Sequence, residues 1–571
     1  MIKTLQKYGL LIVFGGLPLA TISAQKHFTD VTQQAGIKHH YEVFEGFLGG
    51  GACVLDINND GFDDLFLTGG MTDDVLYLNN RNGTFTNIYA KSGLALTKKF
   101  MTQGAVAADV NRDGWVDLYV TTITSKGSKN IIPRAINLLF LNNKNNTFRD
   151  VTKEYGLGEL NSFSTGANFG DINADGFPDL YVGNYFTSYP GDLSSININD
   201  SQIVSASQIA EGFLLLNQGG KGFKNVYKDY GLSHKGFGFG GVFSDFDNDG
   251  DQDLIVNHDF GYKKTPNLLL KNQFPFKWFN DIGPQTGMDL KINSMGTAVG
   301  DYNNDGLMDY FFTNIRFNKF MVNNGVGKPF SEKSLELGVN TITITWGANF
   351  ADFDHDGDLD LFMANGDLNP NCTPIGDFYF ENTGKKFEEK GGLIGLNDYG
   401  IGRGSVVFDL ENDGDLDLLV VNQKPVLPGY PTESETHLFR NDGAKGNWLK
   451  IALKGTQAES HGLGSKVEIV VNGQHQIREI DGGGSSHLSQ NASHAHFGIG
   501  SATQIDEVIV HWTGGYRQVL TNVKANQLLV VTEEEHINRW EWIQKGVIIL
   551  LILAVATISL GVYRYLKKKK K

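Results

Sequence analysis

Cysteine is nearly absent from this sequence: Cys53 and Cys372 are the two in 571 residues. That excludes a disulfide framework, and with no metal-type spacing around either one, both read as packing residues. Bases are also in short supply, 49 Lys and Arg against 64 Asp and Glu, for a formal charge of -15. The deficit is larger between the ends, because Lys3, Lys7, Arg564 and Lys567 to Lys571 are terminal and leave residues 25–545 at -23. A polyanion of that size argues against nucleic acid as a partner, since phosphate contacts need clustered Lys and Arg. Material for a core is not lacking. Apolar residues make up 40% and aromatics 11%, too much to leave in water, so global disorder is excluded and several domains or one large repeat architecture are expected.

The two ends place the rest. Residues 1–24 have the parts of a secretory signal: Lys3 and Lys7, an apolar run over 9–14, then small residues up to Ser23 and Ala24. Residues 546–562 are uncharged and mostly apolar, about 25 Å of helix, which just spans a bilayer core. Trp540 and Trp542 before this stretch and Tyr563 and Tyr565 after it match aromatic belts, and the lysine tail sets the C-terminus on the cytoplasmic side. The expectation is a signal peptide over 1–24, a juxtamembrane linker over 534–545, one transmembrane helix over 546–566 and a cytoplasmic tail over 567–571. The intervening bulk then faces outward, at a cell surface or in a periplasm.

Between the ends one nine-residue pattern recurs seven times. Asp stands at positions 1, 5 and 9, Gly at position 6, and Asn, Asp or Glu at position 3. The first four loops carry Asp56, Asn58, Asp60 and Asp64; Asp109, Asn111, Asp113 and Asp117; Asp171, Asn173, Asp175 and Asp179; and Asp245, Asp247, Asp249 and Asp253. The last three carry Asp301, Asn303, Asp305 and Asp309; Asp352, Asp354, Asp356 and Asp360; and Asp409, Glu411, Asp413 and Asp417. A glycine precedes each first Asp by five residues: Gly51, Gly104, Gly166, Gly240, Gly296, Gly347 and Gly404. A β-type run follows each loop, then a second apolar strand ending in Asn, as at Asn79, Asn142 and Asn217. Short strands alternating with Gly, Asn and Asp turns describe four-stranded blades. The predicted fold is all-β: a seven-bladed β-propeller over 25–445, a small β-sandwich-like domain over 446–533 and the transmembrane helix. Residues 28–32 match a segment that precedes most later loops but is missing after the last one, so they are expected to complete the seventh blade.

Three or four carboxylates within nine residues around a tight turn repel by about 3 kcal/mol per pair at roughly 5 Å. A hard divalent cation relieves this, and Ca²⁺, which takes 6 to 8 oxygens in flexible geometry, suits the loop better than Mg²⁺. An EF-hand needs Glu at position 12, whereas Leu67, Val120, Val182, Val256, Phe312, Met363 and Val420 stand there. The reading is up to seven structural Ca²⁺ ions held by the side chains at positions 1, 3, 5 and 9, with a backbone carbonyl near position 7. Metal-free Asx turns are the alternative. The repeats over 27–445 resemble the FG-GAP or VCBS-type repeats of integrin-like propellers, departing at Glu411 and at Tyr310, which replaces the Leu after the ninth-position Asp.

Residues 446–533 break the pattern and alternate as strands near 448–453, 466–471, 476–480, 507–512 and 527–531. Gly464-Ser-Lys-Val467, Gly483-Gly484 with Ser489-Gln490-Asn491, His496-Phe-Gly-Ile-Gly500 and Val510-His-Trp512 are similar to the ASPIC/UnbV domain. With the propeller, the chain resembles the cartilage acidic protein family, departing at Ser485-Ser486-His487, where an aromatic is expected before Leu-Ser-Gln, and at Thr513-Gly514. Seven histidines fall in 461–536, but none has an acid or Cys partner at zinc-site spacing, so surface or packing roles are expected.

The connections opposite the aspartate loops are long, at 121–137, 185–212, 257–267, 366–376 and 422–436. Their aromatic and polar content suits a protein or carbohydrate partner. Asn184, Asn314, Asn365 and Asn422, five residues after a ninth-position Asp, are candidates to ring the axis there, with Tyr185, His258 and Tyr262 beside them; the alternative is that they are strand-end turn residues. Two function classes follow. One is a calcium-stabilised, membrane-anchored recognition or adhesion protein with its ligand on that face. The other is an extracytoplasmic or biosynthetic enzyme with its active site at the propeller axis, which fold alone does not exclude. No catalytic residues stand out.

Overall fold

Asp ends the loop and opens the next strand at every repeat, so the same four short antiparallel strands recur along the chain. The computed structural model describes residues 27–43, 49–126, 132, 134–188, 209–368, 375–396, 398–425, 434–536 and 557. The expected signal peptide, transmembrane helix and cytoplasmic tail lie outside them, as does Cys372; among the described residues no helix is long and apolar enough to cross a membrane. The architecture is all-β and propeller-like. Among the described residues this part of the chain forms seven small sheets of four or five strands, the first by Ala52–Leu55, Asp64–Leu67, Val75–Asn79 and Phe85–Asn87 in sequence order. In the last, Gly402–Phe408, Asp417–Asn422 and His437–Asn441 are joined by Phe28–Asp30 from the other end of the chain. Phe28 pairs with Asn441 and Asp30 with Phe439, the pairing expected from the missing segment.

Side chains tie the sheets into a ring. The Asn that ends the third strand, or in the fifth sheet directly follows it as Asn323, gives its backbone N–H to the ninth-position Asp of its own sheet, at 2.7 to 2.8 Å in all seven. The amide group of the same Asn donates to a carbonyl in the preceding sheet's loop: Asn142 to Ile57, Asn217 to Val110, Asn272 to Ile172, Asn323 to Phe246, Asn382 to Tyr302 and Asn441 to Phe353. Asn79 donates to Leu410 at 3.0 Å, joining the first sheet to the last. Between sheets lie apolar layers such as Cys53, Phe66, Leu76, Leu118 and Phe140.

The C-terminal module has two further sheets. Trp448–Lys454 lies between Ala495–Gly498, antiparallel, and Leu528–Thr532, parallel. Gln474–Glu479, Lys466–Val471, Gln504–His511 and Arg517–Lys524 form the other. Alternation located five of these seven strands. Ala495–Gly498 is wholly buried and shows no alternation, and Arg517–Lys524 is mostly exposed and reads as polar turn.

Candidate functional site

Each aspartate loop is built by its own side chains. The first-position carboxylate accepts the N–H of the sixth-position glycine in all seven loops, for instance Gly61 to Asp56 at 2.8 Å and Gly114 to Asp109 at 2.7 Å. That bond needs a left-handed residue at position 4 and another at position 6. Position 4 holds Asn59, Arg112, Ala174, Asn248, Asn304, His355 and Asn412, with φ from 50° to 63°. Asn reaches this region at little cost, and Gly at position 6 reaches it freely. The nine-residue pattern does not feature position 4, yet four of its seven residues are Asn. Its side chain links neighbours: Asn59 to Gly114 O, Asn248 to Gly306 O, Asn304 to Gly357 O, His355 to Gly414 O and Asn412 to Gly61 O.

The loops fall into two chemical kinds. Asn58, Asn111, Asn173 and Asn303 at position 3 donate to the fifth-position Asp at 2.9 to 3.3 Å. The three loops with an acid at position 3 also carry an Asp at position 7, Asp251, Asp358 and Asp415, and so concentrate five carboxylates. In two of them bases close in: Lys271 bonds Asp247 and lies 3.1 Å from Asp249, and Arg440 lies 3.5 Å from Glu411.

These residues fit a hard cation. Asp245, Asp247 and Asp253 each bring one carboxylate oxygen within 4.8 Å of the others, as do Asp352, Asp354 and Asp356, the two such groups among the described residues. Asp247 Oδ1, Asp253 Oδ2, Asp309 Oδ2 and Asp352 Oδ1 are buried acceptors without a hydrogen bond, which is costly unless a donor or cation meets them. Burial pushes Asp64 and Asp309 up to about 8, with the other acids of each loop adding to it. Burial and neighbouring acids also hold Asp253 and Asp360 well above the usual carboxylate range. A cation reverses such shifts by favouring the charged form.

The C-terminal module covers this face. Lys450 Nζ lies 2.8 Å from Asp409 Oδ2 and also bonds Asn412. Lys466 Nζ lies 3.1 Å from Asp245 Oδ2 and bonds Asn248. The Gly498 N–H donates to Asp352 at 2.9 Å, and Arg112 reaches back to the carbonyls of Thr456 and Ala458. Between module and loops lies a chamber of about 130 Å³ with a largely apolar wall that includes Phe243, Phe350 and Leu416, and which Asp352, Asp409, Lys450, Arg478, His494 and His496 also border. His496 is buried there and His494 half-buried, and desolvation lowers both.

From the same side a segment of the module enters the axis. Gln490 bridges to Cys53, Ser486 to Thr297 and Gly482 to Phe169. The recurring glycines make the room. A methyl group on Gly51 would stand 1.9 Å from the Leu488 carbonyl oxygen, one on Gly296 2.7 Å from that of Ser486, and one on Gly404 2.7 Å from that of His487. His487 is fully buried, bonds the Met295 carbonyl at 2.8 Å and packs on the rings of Phe239 and Trp346. It therefore fills the place where the resemblance leads one to expect an aromatic.

On the opposite face, most of the candidate ligand residues are spent on the scaffold. Asn184, Asn314, Asn365 and Asn422 are buried, and each amide donates to a carbonyl of its own hairpin: Glu211, Phe317, Gly376 and Glu435. His258 does the same to Pro266. A side chain at that register meets the carbonyl that the hairpin leaves unpaired, so the recurrence reflects hairpin geometry, and the four Asn do not present a ligand ring. Tyr185 is buried and donates to Asp259 at 2.6 Å. Tyr262 alone of the seven is exposed, at 51%.

Comparison with known proteins identifies one repeated signature and one single domain. FG-GAP-like repeats match residues 56–120, 126–182 and 301–363, and an ASPIC and UnbV domain matches 455–538. Cartilage acidic protein 1 of Xenopus tropicalis is 26% identical over 522 residues, 86% of this chain and 74% of that one. The Mus musculus protein of the same name is 26% identical over 538 residues, 89% and 77% of the two chains. Among solved structures, an Agrocybe aegerita lectin recognising non-reducing terminal N-acetylglucosamine is 16% identical, with a TM-score of 0.35, covering 70% of this chain and 89% of that one. The six-bladed β-propeller lectin of Aleuria aurantia is 9% identical, with a TM-score of 0.31, covering 60% and 94%.

Proposed function

We propose that the chain is an extracytoplasmic recognition or adhesion protein: a seven-bladed β-propeller with structural calcium in its aspartate loops, anchored to a membrane by a C-terminal helix, that binds a protein or carbohydrate on the face opposite those loops. The observation that carries this reading is the asymmetry of the two faces. The C-terminal module lies on the loop face through Lys450, Lys466 and Gly498 and fills the axis from that side, so among the described residues the module leaves the opposite face uncovered. In each loop the side chains at positions 1, 3, 5 and 9 would hold the ion. Calcium there would neutralise carboxylates that otherwise repel one another, a structural contribution of about 1.4 kcal/mol per loop filled tenfold over its dissociation constant.

The test is an array of saccharides and secreted proteins probed with the full-length protein in calcium. A ligand whose binding is lost on substituting residues of the open face, and kept on substituting the module's outer strands, is the expected result. Binding that maps to the module would reject the reading.

A further inference from the structure

Among the described residues, the opposite face gathers exposed bases at one place. We propose that Tyr262, Lys263, Lys291, Arg316 and Phe317 form a binding site for an anionic saccharide, an assignment that rests on the recognition reading and gives its ligand a chemical class. Three segments meet there. The Gly261 N–H donates to Ile292 O at 2.8 Å, and the Asn293 N–H to Asn314 Oδ1 at 2.9 Å, which draws the tips of the fourth and fifth sheets and their connection into one surface. Tyr262 and Phe317 are 51% and 42% exposed. Lys263 lies over the rings of Tyr262 and Phe260. Lys263, Lys291 and Arg316 are exposed and make no salt bridge among the described residues, whereas Lys319, on the strand that follows Phe317, does.

Three features set this surface apart from an ordinary solvated face. Unpaired bases gather here in a stretch, residues 25–545, that stands at -23, so the patch attracts anions that the rest of the surface repels. The acid at its root, Asp259, is buried and held by Tyr185 and Asn293, so it does not cancel the patch. The backbone is also held in the left-handed region at two bulky residues, Phe260 at φ 52° and Arg316 at φ 81°. Unlike the fourth-position residues of the aspartate loops, these two are not part of the repeated turn, and at bulky side chains the conformation costs free energy. Exposed rings offer flat faces to the C–H surface of a sugar, and a guanidinium with two ammonium groups reads carboxylate or sulfate substituents. An acidic peptide would use the bases and leave the rings idle.

The experiment measures retention of the full-length protein on polygalacturonate, dextran sulfate and neutral dextran, with polyglutamate as soluble competitor. The expected result is retention on one or both charged polysaccharides and not on neutral dextran. The double variant Lys263→Glu/Lys291→Glu should weaken it at least tenfold, and Tyr262→Ala/Phe317→Ala at least fivefold, with unchanged melting temperatures. Retention on one charged resin alone identifies the acidic group. Absence of retention on both, equal retention of wild type and variants, or full competition by polyglutamate would each overturn the proposal; a ligand found elsewhere on the face by array would leave the broader recognition reading standing.

Discussion

Glycine and histidine show at the residue scale how one letter serves different ends. Gly51 and Gly61 both recur by register, but Gly51 faces the Leu488 carbonyl with no room for a methyl group, while Gly61 has φ 83° and open space around it. Gly51→Ala is expected to displace the axial segment and cost about 1–3 kcal/mol or more; Gly61→Ala pays only the left-handed backbone, about 1–2 kcal/mol. Denaturant midpoints of the two variants separate these cases. His487 supplies a second test. Burial holds it down to about 3, its bond to Met295 notwithstanding, with Arg403 adding to the effect. A base whose folded value lies below its unfolded value of 6.5 contributes stability above that value, and the contribution is lost as pH falls toward 3. His487→Phe should therefore flatten the acid side of the stability profile by up to one proton, about 1.4 kcal/mol per pH unit. An unchanged slope would show that the imidazole is not buried as described.

At the scale of elements, the ring depends on a three-residue strand. Phe28 is 2% exposed and packs edge-on against Phe353, with centroids 5.6 Å apart. Phe28→Ala should cost about 3–5 kcal/mol, while the neighbouring exposed Thr29→Ala should be near neutral; equal effects in urea titration would contradict the closure. Lys450→Met leaves Asp409 buried beside the module without its ammonium partner and should cost about 3 kcal/mol, read as a lower midpoint with loss of protection in residues 482–492. The seven-unit pattern and the closing strand were legible because Asp, Gly and Asn stand at fixed offsets with strong local reasons to be there. The docking of the module was not. Lys450 and Lys466 look like ordinary strand lysines, and their partners Asp409 and Asp245 are 41 and 221 residues away. The recurring glycines were visible as a repeat, but their purpose depends on a segment more than 80 residues further on. The Asn ring was misread for the opposite reason: a true regularity came from hairpin geometry, and a binding surface is more readily found where regularity fails, as at Tyr262, Arg316 and Phe317.

For the molecule as a whole, the face that gathers the acids is turned inward against a module that supplies bases, and among the described residues the opposite face holds a basic, aromatic patch. On the proposed reading, calcium in the loops of that inward face is what keeps the ring rigid. Hydrogen–deuterium exchange of the full-length protein in calcium and in chelator tests this most directly. The account predicts that chelation raises exchange in the aspartate loops and in residues 482–492, while the strand pairing of Phe28–Asp30 with His437–Asn441 loses protection less. Loops whose exchange is the same with and without calcium would contradict it.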